Sequence, residues 1–180
     1  MAYKTTTDPF VLRGQTDLTI TGSSAGVTTL VDTSLDTLNR EVLIIHEVDI
    51  QGGQFPVAGM NAVATSATPA AIEIHDSVQT ATGSLQLNSP DYIAGKNTNF
   101  FGFAAGVNVQ ENRNPDSTAQ ASKDEVPLAI ITDSQIVLRS GFSSGLTLST
   151  SDTYKASFRI ICQRAKADAD TYAALVTGLL

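Results

Sequence analysis

The sequence predicts an all-β fold, a Greek-key sandwich of about eight strands closed by a short C-terminal helix, and three observations predict it. Segments with apolar residues at every second position recur between residues 17 and 164, the period of a half-buried strand. Clusters of Gly, Ser, Asn, Asp and Pro separate them, as tight connections require. After Arg164 the period lengthens to about 3.6: Tyr172, Leu175, Val176 and Leu179 share one helical stripe, and Asp168 and Asp170 sit where a helix dipole favours acids. The expected units are an N-terminal arm over 1–16, the sandwich over 17–164 and a helix over 165–180.

The elements follow in order. Leu18-Thr-Ile20 and Val27-Thr-Thr-Leu-Val31 flank a Gly-Ser-Ser-Ala-Gly turn, and a hairpin is the simplest reading. Asp32 to Asn39 offers caps and turn formers, enough for one helical turn. The strongest strand is 41–50, with Val42, Ile44, His46, Val48 and Ile50 on the core face and Leu43, Ile45, Glu47 and Asp49 on a face that turns polar halfway along. Residues 55–71, rich in Ala, Thr, Ser, Gly and Pro, read as a long loop. Ile72 and Ile74, then Leu85 and Leu87, mark two half-buried strands. Ser89-Pro-Asp91 and Gly95-Lys-Asn-Thr-Asn99 read as turn clusters, followed by a strand over 100–109 in which Gly102 and Gly106 permit a bulge or close approach. The polar stretch 110–125 is the expected exposed loop. Strands at 126–131, 135–139, 146–148 and 154–164 complete the set, the last with Tyr154, Ala156, Phe158, Ile160 and Cys162 inward and Lys155, Ser157, Arg159 and Gln163 outward. A helix this short is marginal alone, so it must dock on its own sheet or on a neighbour.

Composition narrows the function classes. A chain of 180 residues makes one domain and can bury about 70% of the surface its unfolded form exposes. Charged residues are only 16%, below the roughly 25% of ordinary soluble domains, so much of the surface is neutral and small-sided. The formal net charge is −7 and Lys and Arg are scattered singly, whereas phosphate binding needs clustered cations; direct nucleic-acid contact is not expected. Residues 1–10 lack the apolar core of a signal peptide, and no stretch reaches the ~18 apolar residues of a membrane span. Synthesis in a cytoplasm is the expectation. The single cysteine, Cys162, excludes an intrachain disulfide and reads as a buried, inert thiol.

Candidate chemistry is sparse, and no catalytic, metal or cofactor residue is assigned. His46, on the apolar face of its strand, reads as a hydrogen-bonded core or interface histidine. Glu73 and His75 form a Glu-x-His pair on an outward face, but no His-x-His and no fourth ligand accompany it. The acidic loop from Glu111 to Asp116 departs from EF-hand spacing and reads as solvated. Gly141-Phe-Ser-Ser-Gly145 is out of phase for a nucleophile elbow. An enzyme is therefore not expected. Glu47 and Asp49 on the early strand, and Lys155 and Arg159 on the last, become cross-strand ion pairs if the two strands are antiparallel neighbours. An early strand beside the last is a feature of Greek-key sandwiches, including the jelly roll.

That arrangement, with strong strands at 42–50 and 154–163 and long loops between, resembles the single jelly-roll capsid proteins of tailless icosahedral viruses of bacteria or archaea. The resemblance is architectural, covers residues 17–164 and departs from many RNA-virus capsid proteins in lacking a basic arm: residues 1–16 carry only Lys4 and Arg13. It implies a virion structural protein that self-assembles into a shell. Its partners would be its own copies and other capsid proteins, with contact to an internal virion membrane as a further option. Small neutral lateral surfaces suit such docking. The alternatives are another phage part, such as a tail tube or decoration protein, and a glycan-binding sandwich. The last needs an aromatic platform, for which Tyr92 is the one candidate in a chain without Trp.

Overall fold

The computed structural model describes residues 3–19, 22–52, 67–75, 92–101, 112–113, 118–120, 127–148 and 153–177. Two sheets carry the described strands. The first contains β1 (Tyr3–Thr5), β2 (Phe10–Thr19), β4 (Glu41–Gly52), β8 (Thr118–Gln120), β9 (Ala129–Ile131) and β11 (Thr153–Ala167). The second contains β3 (Gly22–Asp32), β5 (Ala67–His75), β6 (Tyr92–Phe101), β7 (Asn112–Arg113) and β10 (Gln135–Leu148). A 3-10 turn, η1 (Thr37–Asn39), precedes β4, and one helix, α1 (Ala169–Val176), follows β11.

The pairing is that of a long hairpin wrapped on itself. β2 pairs with β11, β3 with β10, β4 with β8 and β9, and β5 with β6, all antiparallel. Outermost thus meets outermost and innermost meets innermost. Cross pairs β4 with β11 and β5 with β10 then join these ribbons into sheets ordered β2-β11-β4-β8/β9 and β3-β10-β5-β6. This is the jelly roll, and the expected all-β sandwich with a short C-terminal helix is what the chain forms.

Alternation supplies the main core. Leu18, Leu43, Ile45, Val48, Ile50, Ala156, Phe158, Ile160 and Cys162 from the first sheet meet Ile74, Ala94, Ile136 and Leu138 from the second. A second, smaller core lies on the outer face of the first sheet, where Val42, Ile44, Ala165 and Ala167 are covered by Tyr3, Ile130, Tyr172 and Leu175.

Several sequence readings are corrected. β2 and β3 are not a hairpin: they belong to opposite sheets because each finds its hydrogen-bonding partner late in the chain, β11 and β10. The arm over 1–16 is woven into the first sheet as β1 and most of β2. Residues 95–99 are not a turn but the middle of β6, whose backbone groups are taken up by β5. The supposed loop 110–125 contributes β7 and β8, and 135–139 and 146–148 are parts of one strand, β10. β11 runs to Ala167, so α1 starts at Ala169 and spans 8 residues; of its stripe, Tyr172 and Leu175 dock while Val176 stays exposed. The expected strand around Leu85 and Leu87, most of the 55–71 loop and Leu179 lie outside the described residues.

The phase of β4 is corrected as well. Ile161 pairs with Glu47 but Cys162 pairs with Ile45, leaving His46 as the extra residue of a β-bulge. The bulge reverses the facing: Leu43 and Ile45 point inward before it, Val48 and Ile50 after it, while Val42 and Ile44 lie under the helix.

Candidate functional site

Among the described residues, four places hold side chains that could act on another molecule. The first is the outer face of β2, β11 and β4 beyond the bulge. Register sets Arg159 between Arg13 on β2 and Asp49 on β4, and Ser157 between Gln15 and Gln51. Arg159 Nη2 lies 3.7 Å from Glu47 Oε1 and 3.8 Å from Asp49 Oδ2. The expected cross-strand pairing is therefore present for Arg159. It is absent for Lys155, since β4 ends at Gly52 opposite Ala156 and Lys155 lies opposite Asp17 of β2 instead. Gln15 Nε2 donates to Asp17 Oδ1 at 2.9 Å. Arg13, Gln15, Asp49, Gln51, Ser157 and Arg159, with Gly14 and Phe158, line a shallow depression of about 550 Å³. At contact distances near 4 Å and with Arg159 half-exposed, this is a solvated charge lattice, not a preorganised anion site.

The second place is the end of the sandwich built by residues 33–40 and α1. Thr33 N donates to Ser134 O at 2.9 Å, Thr33 Oγ1 to Asp133 O at 3.1 Å, and the Arg164 guanidinium to Thr33 O at 3.2 Å. Leu35 is buried in the core. Asp36 caps η1 by accepting from Asn39 N at 3.2 Å, its own N–H donates to Glu41 Oε2 at 3.0 Å, and Glu41 N returns to Asp36 O at 3.1 Å. The side-chain amide of Asn39 and its backbone N–H together hold the Asp36 carboxyl below its ordinary range. Arg40 takes the left-handed conformation at φ 59° and accepts from Ala167 N at 3.1 Å. On this pinned turn Leu38 is 94% exposed. Val176 of α1 is 58% exposed, and α1 is itself capped by Asp168, whose carboxylate accepts from Thr171 N at 2.7 Å and is held below its ordinary range by that bond. The sequence reading missed Leu38. Its signal was an apolar residue enclosed by capping residues in Asp36-Thr-Leu-Asn39, where no core periodicity claims it.

The third is the bulge. His46 Nε2 and Gln163 Oε1 are 2.9 Å apart on the outer face, and Gln163 Nε2 reaches Thr7 O at 3.4 Å. His46 is half-buried and has a structural hydrogen bond. The fourth is the interior around Cys162. Its Sγ lies 3.7 Å from Phe10 O, and burial pushes the thiol up to about 11, so it stays protonated and unreactive at neutral pH. The Arg164 guanidinium stacks over the Phe10 ring at 5.7 Å.

The remaining sequence candidates do not converge. His75 pairs with Val137 and Tyr92, and Glu73 with Arg139 and Gly95, in the second sheet. Tyr92 is half-buried within β6, which makes it a poor sugar platform. Gly141 to Gly145 lies inside β10. The loop residues Glu111 and 114–117 fall outside the described set. Among the described residues no three of His, Cys, Asp and Glu gather as a metal site, and no helix is long and apolar enough to cross a membrane.

Comparison with known proteins adds one loose likeness. No family model and no curated protein matches the sequence. Among solved structures, a chain of desmodium yellow mottle tymovirus is similar at 15% identity and a TM-score of 0.33, over 92% of this chain and 94% of that one. The topology above rests on the strand order alone.

Proposed function

We propose that this chain is a structural subunit that assembles with its own copies into the shell of a virus particle, with no enzymatic role. The observation that carries the reading is Leu38. A leucine 94% exposed on a turn fixed by hydrogen bonds on both sides cannot fold away, and burying such a side chain against a neighbour is worth about 1.5–3 kcal/mol. Val176 adds a second exposed apolar group at the helix that closes the same sheet. The jelly roll is a recurrent shell architecture, although a fold hosts many functions, and the low charge content suits lateral contacts that desolvate few ions. Other shell proteins are the expected partners, an internal membrane is an option, and the genome is not contacted directly.

Light scattering and negative-stain microscopy of the purified chain, across salt and calcium, test this. Closed particles or discrete capsomers are expected, and Leu38→Asp should abolish them while leaving the circular dichroism unchanged. Open tubes would move the assignment to a tail part. A monomer of 18.9 kDa under every condition would overturn it.

A further inference from the structure

We infer that the outer edge of β3 pairs with β3 of a second copy, antiparallel about a twofold axis at Thr28, joining two five-stranded sheets into one.

The sheet edges of this molecule are treated unequally. Along β11 the first sheet ends in β1 and β2, an edge that is broken between Thr5 and Phe10 and carries Lys4, Pro9, Arg13 and Asp17. Breaks, prolines and charges are how natural sheets prevent edge-to-edge pairing. The other described ends are β8 and β9, three residues each, and β7, two residues, too short to template a partner, and the part of β6 that β7 leaves uncovered carries Lys96. β3 differs on every count. It runs 11 residues, no described strand lies on its outer side, and Gly22 to Val31 contains neither charge nor proline. In a chain of net charge −7, an uncharged ten-residue stretch such as Gly22 to Val31 is where two copies meet without like-charge repulsion.

Side chains on the outer face fix the register. Through β10, Leu30 lies opposite Val137, Thr28 opposite Arg139 and Gly26 opposite Gly141, so the three share a face. Leu30 is 47% exposed, and among the described residues a Cβ on Gly26 would meet only Ser140 O at 3.9 Å. Centring the antiparallel pair on Thr28 sets Leu30 of each copy over the bare Gly26 of the other. A twofold axis makes that contact twice, and main-chain ladder bonds supply the rest of the affinity.

This deepens the self-assembly reading and rests on it for its partner. Directly opposed antiparallel residues have Cα atoms about 4.5–5.5 Å apart, within disulfide reach, so Thr28→Cys under mild oxidation should give a covalent dimer on non-reducing gels. The wild-type chain, whose one cysteine is buried, should give none. Leu30→Lys, at an exposed position, should weaken the dimer roughly tenfold or more with unchanged circular dichroism. A Thr28→Cys chain that stays uncrosslinked in an oligomer, or shells that form from Leu30→Lys as from wild type, would overturn the edge pairing while leaving the shell reading intact. A Thr28-linked dimer that never grows into particles would support the edge and sink the shell.

Discussion

The two ends of the β4–β11 ribbon are made of the same two strands and live in different environments. Over 42–45, with Cys162, Ala165 and Ala167 of β11 beside them, both faces are buried: the second sheet covers one, and Tyr3, Ile130, Tyr172 and Leu175 cover the other. Over 47–51 and 157–161 the inner face is just as buried, yet the outer face carries Glu47, Asp49, Gln51, Ser157 and Arg159 in contact with water. The bulge at His46 divides them. One strand pair thus has a doubly covered end that anchors α1 and a singly covered end that presents polar groups. Pairing alone therefore does not set local stability; what lies over the pair does.

The largest effect should come from emptying the doubly covered end. Ile44 is buried beneath α1, and Ile44→Ala should cost about 2–5 kcal/mol, read as a fall in the denaturant midpoint. If instead it costs no more than Asp49→Ala at the wet end, the second core is not cohesive and the contrast fails. Next comes Gly14, opposite Phe158. A Cβ there would stand 2.5 Å from Phe158 Cε1 and 2.8 Å from Val31 Cγ2, so the sandwich has no room for a methyl. Gly14→Ala should cost about 1–3 kcal/mol by overpacking, and Gly14→Ala with Phe158→Leu should recover part of it if the ring is the obstacle.

These positions also mark how far the sequence could be read. Alternation in 155–163 gave the inner and outer faces of β11 correctly, because that strand continues without a bulge and each side chain keeps its phase, while the Tyr154 side chain lies outside the described set. The same reasoning misplaced Val48 and Ile50 relative to Val42 and Ile44. A run in which both faces are buried holds no polar residue to reveal a phase change, and the only mark of the bulge is one His between Ile45 and Glu47. Residues 95–99 were misread for a related reason: Gly, Lys, Asn and Thr favour turns locally, but β5 offers them a ladder that local chemistry cannot foresee. The Arg159 pairing was legible since it needs only strand adjacency, whereas Leu38 was marked only by its place among capping residues, since exposure depends on what surrounds a turn.

The bulge gives a sharper version of the comparison. Removing His46 would leave Val42, Ile44, Glu47 and Asp49 outward and Leu43, Ile45, Val48 and Ile50 inward, in unbroken alternation. Deletion of this one residue from a central strand should therefore be tolerated, with a loss of about 1 kcal/mol for the hydrogen bond to Gln163. A deletion variant that fails to fold would show that the bulge sets the register of β8 and β9 as well.

Smaller again is the acid response of the helix that covers the dry end. The Asp168 carboxyl is depressed by its bonds from Thr171, so its contribution is fully present above the unfolded value near 3.8 and is lost as pH falls through the lower folded value. Acid below that range should loosen α1 from Ile44 before it disturbs the main core, seen as an early change in tyrosine fluorescence that Tyr172→Phe diminishes. Asp168→Asn should flatten that response, and an unchanged profile would mean that packing alone holds the helix.

Least of all should change at the wet end. Arg159 stands 3.7 and 3.8 Å from Glu47 and Asp49 with its side chain 48% exposed, beside Arg13 on the opposite strand. The attraction of two carboxylates is screened by water and offset by the neighbouring guanidinium, so Arg159→Ala should shift stability by only about 0–1 kcal/mol, and less at high salt. Measured beside Ile44→Ala on the neighbouring strand, the two losses should differ several-fold between two positions on one paired ribbon. A loss at Arg159 as large as that at Ile44 would mean that the outer polar face is covered in the folded chain as tightly as the face under α1. It would also remove that face from the surfaces open to another molecule.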